Sequence, residues 1–160
     1  GESGGHEQLH DFGIKDYARD VAHAVAELPA RPVLIGHSMG TLVLRNYLSG
    51  APDAAAGVAL LSPVPPTGTG GSASRLALQQ PDFFAELPNV LAGKPTANTL
   101  KVMASVYFSP DVRPEETLQF MPMIGNESDQ AVAEMVALPF TPAPRTPRLP
   151  AFVTGAIRPS

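Results

Sequence analysis

The reading turns on Arg31 to Leu48, RPVLIGHSMGTLVLRNYL. Val33, Leu34 and Ile35 form a short unbroken apolar run, which predicts a central parallel strand covered on both faces. Gly36 and Gly40 bracket Ser38 in the pattern G-x-S-x-G. Such a turn needs small residues, because the backbone at the serine is strained and its neighbours approach closely. Beyond it, Leu42, Val43, Leu44, Tyr47 and Leu48 spread over most of a helix circumference, predicting a buried helix over 40–49. A strand, a sharp turn and a helix in this order lift the Ser38 hydroxyl above the sheet edge. They also leave the Met39 amide at a helix N-terminus, positioned to stabilise a developing oxyanion. The bare pattern arises by chance in roughly one chain in twenty of this length, so the flanking strand and helix carry the reading.

So flanked, GHSMG resembles the serine turn of the α/β-hydrolase superfamily, and it looks closest to the capped lysophospholipase and monoacylglycerol-lipase-like branch. The resemblance implies a partial α/β-hydrolase fold, a parallel sheet flanked by helices with an inserted helical cap. It implies Ser38 as nucleophile, the Met39 amide as one oxyanion donor and Gly36 and Gly40 as the glycines of the nucleophile elbow. His37, inside the turn, should point away from the Ser38 hydroxyl and serve packing or support from behind. No cofactor and no metal are implied.

Composition narrows the classes. One hundred and sixty residues suit one domain with a substantial core. A formal charge of −4 with no long basic run gives no reason to expect nucleic acid or an anionic membrane as partner. The absence of cysteine removes disulfides, thiol catalysis and cysteine-ligated metals. No apolar run approaches the roughly 18 residues of a membrane span. No leader is visible, although the chain opens on Gly1 rather than Met, so its true start is expected to lie upstream. The 18 prolines are about twice the usual share and cluster after Ser62, predicting many short elements joined by stiff turns.

Along the chain, Gly1 to Gly13 reads as a polar loop. Gly1, Glu2 and Ser3 resemble the tail of the H-G-x-S segment that follows an earlier strand in the family. Ile14, Tyr17, Ala18, Val21, Ala22, Val25 and Leu28 recur at helical spacing opposite Lys15, Asp16, Arg19, Asp20 and Glu27. This predicts an amphipathic helix over 14–28, ended by Pro29. After a stop signal at Ser49 to Pro52, GVALLS at 57–62 predicts the next parallel strand, reached by a right-handed crossover. From Ser72 to about Thr146 only helix signals persist. Thr96 or Asn98 should cap one helix, Pro114 with Glu115 and Glu116 opens another, and Asn126 should cap a third. AFVTG at 151–155 then predicts a third parallel strand. Strands near 32–36, 57–62 and 150–155 should lie adjacent in chain order. The expected organisation is therefore a core part at 1–66, a helical cap at 67–148 and a returning core strand at 149–160.

A serine hydroxyl needs a positioned base, usually a histidine oriented by a carboxylate. In the resembled family the chain order is serine, then acid, then histidine. Here His6, His10, His23 and His37 all precede Ser38. His6 and His10 lie in a loop that could visit the site, and His23 faces solvent on its helix. Asp53, Asp82, Asp111 and Asp129 read as turn and cap residues. The acid and base are expected beyond Ser160 and the second oxyanion donor before Gly1, so the chain reads as an internal fragment, inactive alone, of a larger hydrolase. The expected substrate is a small carboxylic ester, with an acyl chain suited to the Met-rich helical segment. An acyltransferase or C–C hydrolase on the same scaffold is the alternative within enzymes. A non-catalytic binding homologue is the alternative outside them. Haloalkane dehalogenases and epoxide hydrolases resemble this fold with aspartate at the serine position.

Overall fold

The computed structural model describes residues 6–65, 68–91, 94, 96–109, 112, 113, 116, 119, 127–137 and 148–155. Among these, three strands form one parallel sheet: β1 (Val33–His37), β2 (Gly57–Leu61) and β3 (Ala151–Thr154), in the spatial order β1-β2-β3. Leu34 pairs with Val58, Gly36 with Leu60 and His37 with Leu61, while Ala59 pairs with Phe152 and Leu61 with Thr154. The expected strand order and direction are those observed. The helices are α1 (Ile14–Ala26), α2 (Gly40–Gly50), α3 (Gly70–Gln79), α4 (Pro81–Leu91), α5 (Ala97–Tyr107) and α6 (Asp129–Ala137).

These elements fall into two compact units, residues 1–70 with 127–160 and residues 71–126. The helical segment expected over 67–148 is thus shared between them, because α6 packs within the first unit. There α2 lies on β1 and α1 packs chiefly on α2. Ile14, Ala18, Leu42, Val43 and Ala131 form the buried cluster, with Tyr17, Val21, Met39, Tyr47, Val64 and Met135 packed around it. α2 buries Thr41, Leu42, Val43, Leu44 and Leu48, as its apolar circumference predicts.

Coverage of β1 on both faces is not observed. The Leu34 and Gly36 side of the strand turns toward α2, but Val33 is 64% exposed and Ile35 69% exposed. Among the described residues α1 stacks chiefly on α2, which leaves the opposite face of β1 open.

The stretch read as a loop before α1 contains a 3-10 helix, His6–Asp11. It is held by the segment that opens α6. Ser128, fully buried, donates its hydroxyl to the Phe12 carbonyl at 2.5 Å, and the same oxygen accepts the Ala131 N–H at 3.2 Å. Ser128 is therefore the cap of α6; the expected cap, Asn126, lies outside the described residues. His10 pairs with Asp129 at 3.0 Å. Glu134 accepts the Ile14 N–H at 2.8 Å, placing a carboxylate at the N-terminus of α1 where the helix dipole favours it. Asp16 accepts the Gly13 N–H at 2.8 Å on the same turn. Ser128→Ala leaves the Ala131 N–H without its acceptor and the Phe12 carbonyl without its donor. It should cost about 1–3 kcal/mol, read from the urea midpoint at unchanged m-value.

Tyr17 reports on the same contact. Its hydroxyl donates to Glu127 at 3.0 Å, and burial, then the hydrogen bond and charge of Glu127, push its pKa up to about 12. The folded chain holds this proton more tightly than the unfolded chain, whose phenol titrates near 10. The associated stability is complete below about pH 10 and is lost as the pH climbs toward 12. Burial also raises the Tyr107 phenol, so an alkaline absorbance titration should show late phenolate formation whose amplitude falls by one tyrosine in Tyr17→Phe.

In the second unit, α4 packs on α5. Thr96 caps α5, its side chain accepting the Thr99 N–H at 3.1 Å, so Thr96 rather than Asn98 is the cap. Asn98 instead donates to Glu86 at 2.6 Å, alongside Thr99 at 2.5 Å and Asn89 at 2.9 Å. These bonds, that from Thr99 foremost, hold the Glu86 carboxyl below the usual carboxylate range. Phe83 is buried, with edge-on ring contacts to Phe84 at 5.3 Å and Tyr107 at 6.1 Å. The expected helix start at Pro114 to Glu116 falls largely outside the described residues.

A final feature of the first unit is where the chain leaves it and returns. The Thr69 N–H donates to the Met135 carbonyl at 3.4 Å, tying the departing chain to α6.

Candidate active site

Ser38 follows the last residue of β1 and stands two residues before α2. Its φ is 49°, a left-handed value that a non-glycine residue adopts only when its surroundings impose it. The strain expected of the turn is present. Two sets of hydrogen bonds impose it. The Ser38 N–H donates to the Leu61 carbonyl at 3.0 Å, extending the β1–β2 ladder by one residue. The Ser38 carbonyl accepts the Thr41 N–H at 3.0 Å and the Thr41 hydroxyl at 2.7 Å. The serine itself is exposed at the carboxyl end of the strand.

The first turn of α2 leaves amides unused. Thr41 and Leu42 donate back to the carbonyls of Ser38 and Met39. The N–H groups of Met39 and Gly40 have no acceptor among the described residues, as the opening amides of a helix require. The Met39 side chain packs on the buried cluster, which fixes the peptide carrying its N–H.

The two glycines of the pattern differ. A Cβ on Gly36 would stand 2.9 Å from both the Gly40 carbonyl oxygen and Leu44 Cδ1, so only glycine lets α2 approach β1 this closely. A Cβ on Gly40 would meet nothing within 4 Å among the described residues, so the expected crowding applies to the first glycine alone.

Among the described residues, no histidine hydrogen-bonds the Ser38 hydroxyl. His10 is engaged with Asp129, His23 is exposed on α1 and His37 is exposed at the end of β1. Strand alternation puts His37 on the same exposed face as Val33 and Ile35. The side chain of His6 and the residues Gly1 to Ser3 lie outside the described set. No group of three or more His, Cys, Asp or Glu able to hold a metal occurs among the described residues, and none of the described helices is long and apolar enough to cross a membrane.

Sequence reasoning missed three participants. Thr41 bonds back to the carbonyl three residues earlier, a habit of threonine in a first helical turn that could have singled it out. Val64 N–H donates to the Thr41 hydroxyl at 3.2 Å. Ser62, just after β2, has φ 45° and donates its N–H to the Thr154 carbonyl at 2.7 Å. Ser62 precedes Pro63, which biases a residue toward extended backbone, so local sequence argues against what the fold imposes. A cleft of about 320 Å³ opens between α2 and the sheet, lined by Leu44, Arg45, Leu48, Val58, Leu60 and Leu149 among others; Ser38 is not part of its wall.

Comparison with known proteins agrees with this arrangement. The family described as alpha/beta hydrolase fold matches residues 1–142. Neither the curated proteins nor the solved structures contain a match to the chain. With a parallel sheet, a helix launched from the end of β1 and the family's pattern running through most of its length, the chain belongs to the alpha/beta hydrolase fold family.

Proposed function

We propose that this protein is a serine hydrolase acting on carboxylic esters with lipid-like acyl groups, of the lysophospholipase, monoacylglycerol lipase or esterase type. The observation that carries the reading is the left-handed Ser38 at the end of β1, next to the Met39 amide that has no acceptor among the described residues. Ser38 Oγ attacks the ester carbonyl carbon while its proton passes to a histidine base. The carbonyl oxygen takes the negative charge and accepts the Met39 N–H. Collapse breaks the ester C–O bond, the departing alcohol takes the proton from the histidine, and water repeats the sequence on the acyl-enzyme. Of the Ser-Asp-His set this chemistry uses, only Ser38 is assigned among residues 1–160. Gly36 serves by letting α2 sit against β1. The helical unit is proposed as the cap, and its partly exposed Phe84 and Tyr107 suit an acyl chain better than a sugar or nucleotide.

The test is covalent labelling of the full-length protein by an alkyl fluorophosphonate, with the adduct located by peptide mass spectrometry. Modification on Ser38, together with turnover of p-nitrophenyl octanoate, is the expected result. A protein that turns over no ester and takes no label on Ser38 would end the proposal in favour of a binding protein.

A further inference from the structure

We infer that Thr41 is a positioning residue for Ser38, holding the strained turn through a hydroxyl that ties it to the chain leaving β2. The inference rests on the serine hydrolase reading. A left-handed conformation costs an L-residue about 1–2 kcal/mol, so something outside Ser38 must hold it there. Both polar backbone groups of Ser38 are fastened, and both fastenings lead to the same stretch. The N–H goes to the Leu61 carbonyl at the end of β2. The carbonyl goes to the Thr41 hydroxyl, and that hydroxyl in turn accepts the Val64 N–H, three residues beyond Leu61. The loop of bonds therefore closes on residues 61–64. That stretch is itself fixed: Ser62 N–H is bonded to β3, and Val64 packs on the buried cluster.

Thr41 is suited to this task and to little else. It is 5% exposed, so its hydroxyl has no ready exchange with water, and both its donor and one acceptor site are used. The Thr41 N–H already bonds the Ser38 carbonyl as helix geometry dictates. Without the hydroxyl the turn would keep that bond and the Ser38 N–H bond to Leu61, and would lose its second tie, to Val64 in the chain leaving β2. The serine would then remain in place on average while its hydroxyl wandered, and a displacement of about 1 Å can cost a factor of about 100 in rate.

The experiment compares steady-state kinetics on p-nitrophenyl octanoate for the full-length wild type, Thr41→Val, Thr41→Ser and Ser38→Ala, with melting temperatures alongside. Thr41→Val keeps the shape and removes both bonds. Its kcat should fall about 10–100-fold with KM within about threefold, and Thr41→Ser, which restores the hydroxyl, should return to within about threefold of wild-type kcat. Should Thr41→Val not fold, Thr41→Ala against Thr41→Ser carries the same comparison. Wild-type kcat in Thr41→Val, a rise in KM alone, or a Thr41→Ser enzyme as impaired as Thr41→Val would overturn the inference while a dead Ser38→Ala left the hydrolase reading standing. Full turnover in Ser38→Ala would remove both.

Discussion

Ser38→Ala is expected to lower kcat on p-nitrophenyl octanoate by about 10⁴-fold or more in the full-length protein, because no attacking oxygen remains and only binding and oxyanion contacts persist. Ser38→Gly should be equally inactive and, unlike the alanine variant, more stable. Glycine reaches φ 49° without the clash that an L-side chain meets, a relief partly offset by its larger loss of freedom on folding. A net gain of about 0.5–1 kcal/mol follows, visible as a higher melting temperature. Loss of activity paired with gained stability at one residue is what a strained functional position produces. An alanine variant with wild-type turnover would show that Ser38 is not the nucleophile, and a glycine variant that melts earlier would show that it is not under strain.

Gly36 carries the largest expected structural effect. The atoms facing its missing Cβ include the Gly40 carbonyl, which is backbone and can yield only if α2 moves as a whole. Gly36→Ala should cost about 1–3 kcal/mol and Gly36→Val more, against a total stability of about 5–15 kcal/mol for a domain. Because α2 carries the Met39 amide, surviving Gly36→Ala protein should also lose activity beyond its loss of stability. Gly13→Ala is the control. Its Cβ would meet Glu134 Oε1 at 2.5 Å, but that is the end of a flexible side chain, so the neighbour swings aside and only the contact at the start of α1 is weakened. Its cost should stay near 1 kcal/mol or below. Equal destabilisation by the two glycine variants in urea titrations would refute the distinction between backbone and side-chain crowding.

Local pattern was enough for the strands, α1, α2 and the turn between β1 and α2. Each is written in short-range terms: apolar runs, helical periodicity, and two glycines around a serine. What escaped prediction depends on contacts distant in the chain. Ser128 bonds to Phe12 across 116 residues, and nothing around Asn126 to Asp129 marks which polar residue will cap the helix. The 3-10 helix at His6–Asp11 likewise adjoins α6, so the preceding Gly-rich sequence reads only as loop. Ile35 reads as buried because a run of apolar residues cannot say how many layers will cover it, and in this sheet one face of β1 is open. The turn carrying Ser38 and Met39 was legible from the motif, whereas the hydrogen bonds that Thr41, Ser62 and Val64 make around it were not. Those bonds come from β2 ending beside β1, a property of the sheet.

The hydrogen bond from Thr69 to Met135 has a consequence for how such a chain can change over time. The chain departing toward 71–126 is tied at Thr69 to α6, and the chain returning from it is anchored separately, by Ser128 on Phe12. Closing a longer or shorter loop between two anchored ends alters the free energy only with the logarithm of its length. Insertions, deletions or wholesale exchange within 71–126 can therefore accumulate while the β2-to-β3 pairing and the turn at Ser38 stay as they are. For an engineer, these two anchors mark where a foreign helical module could be grafted.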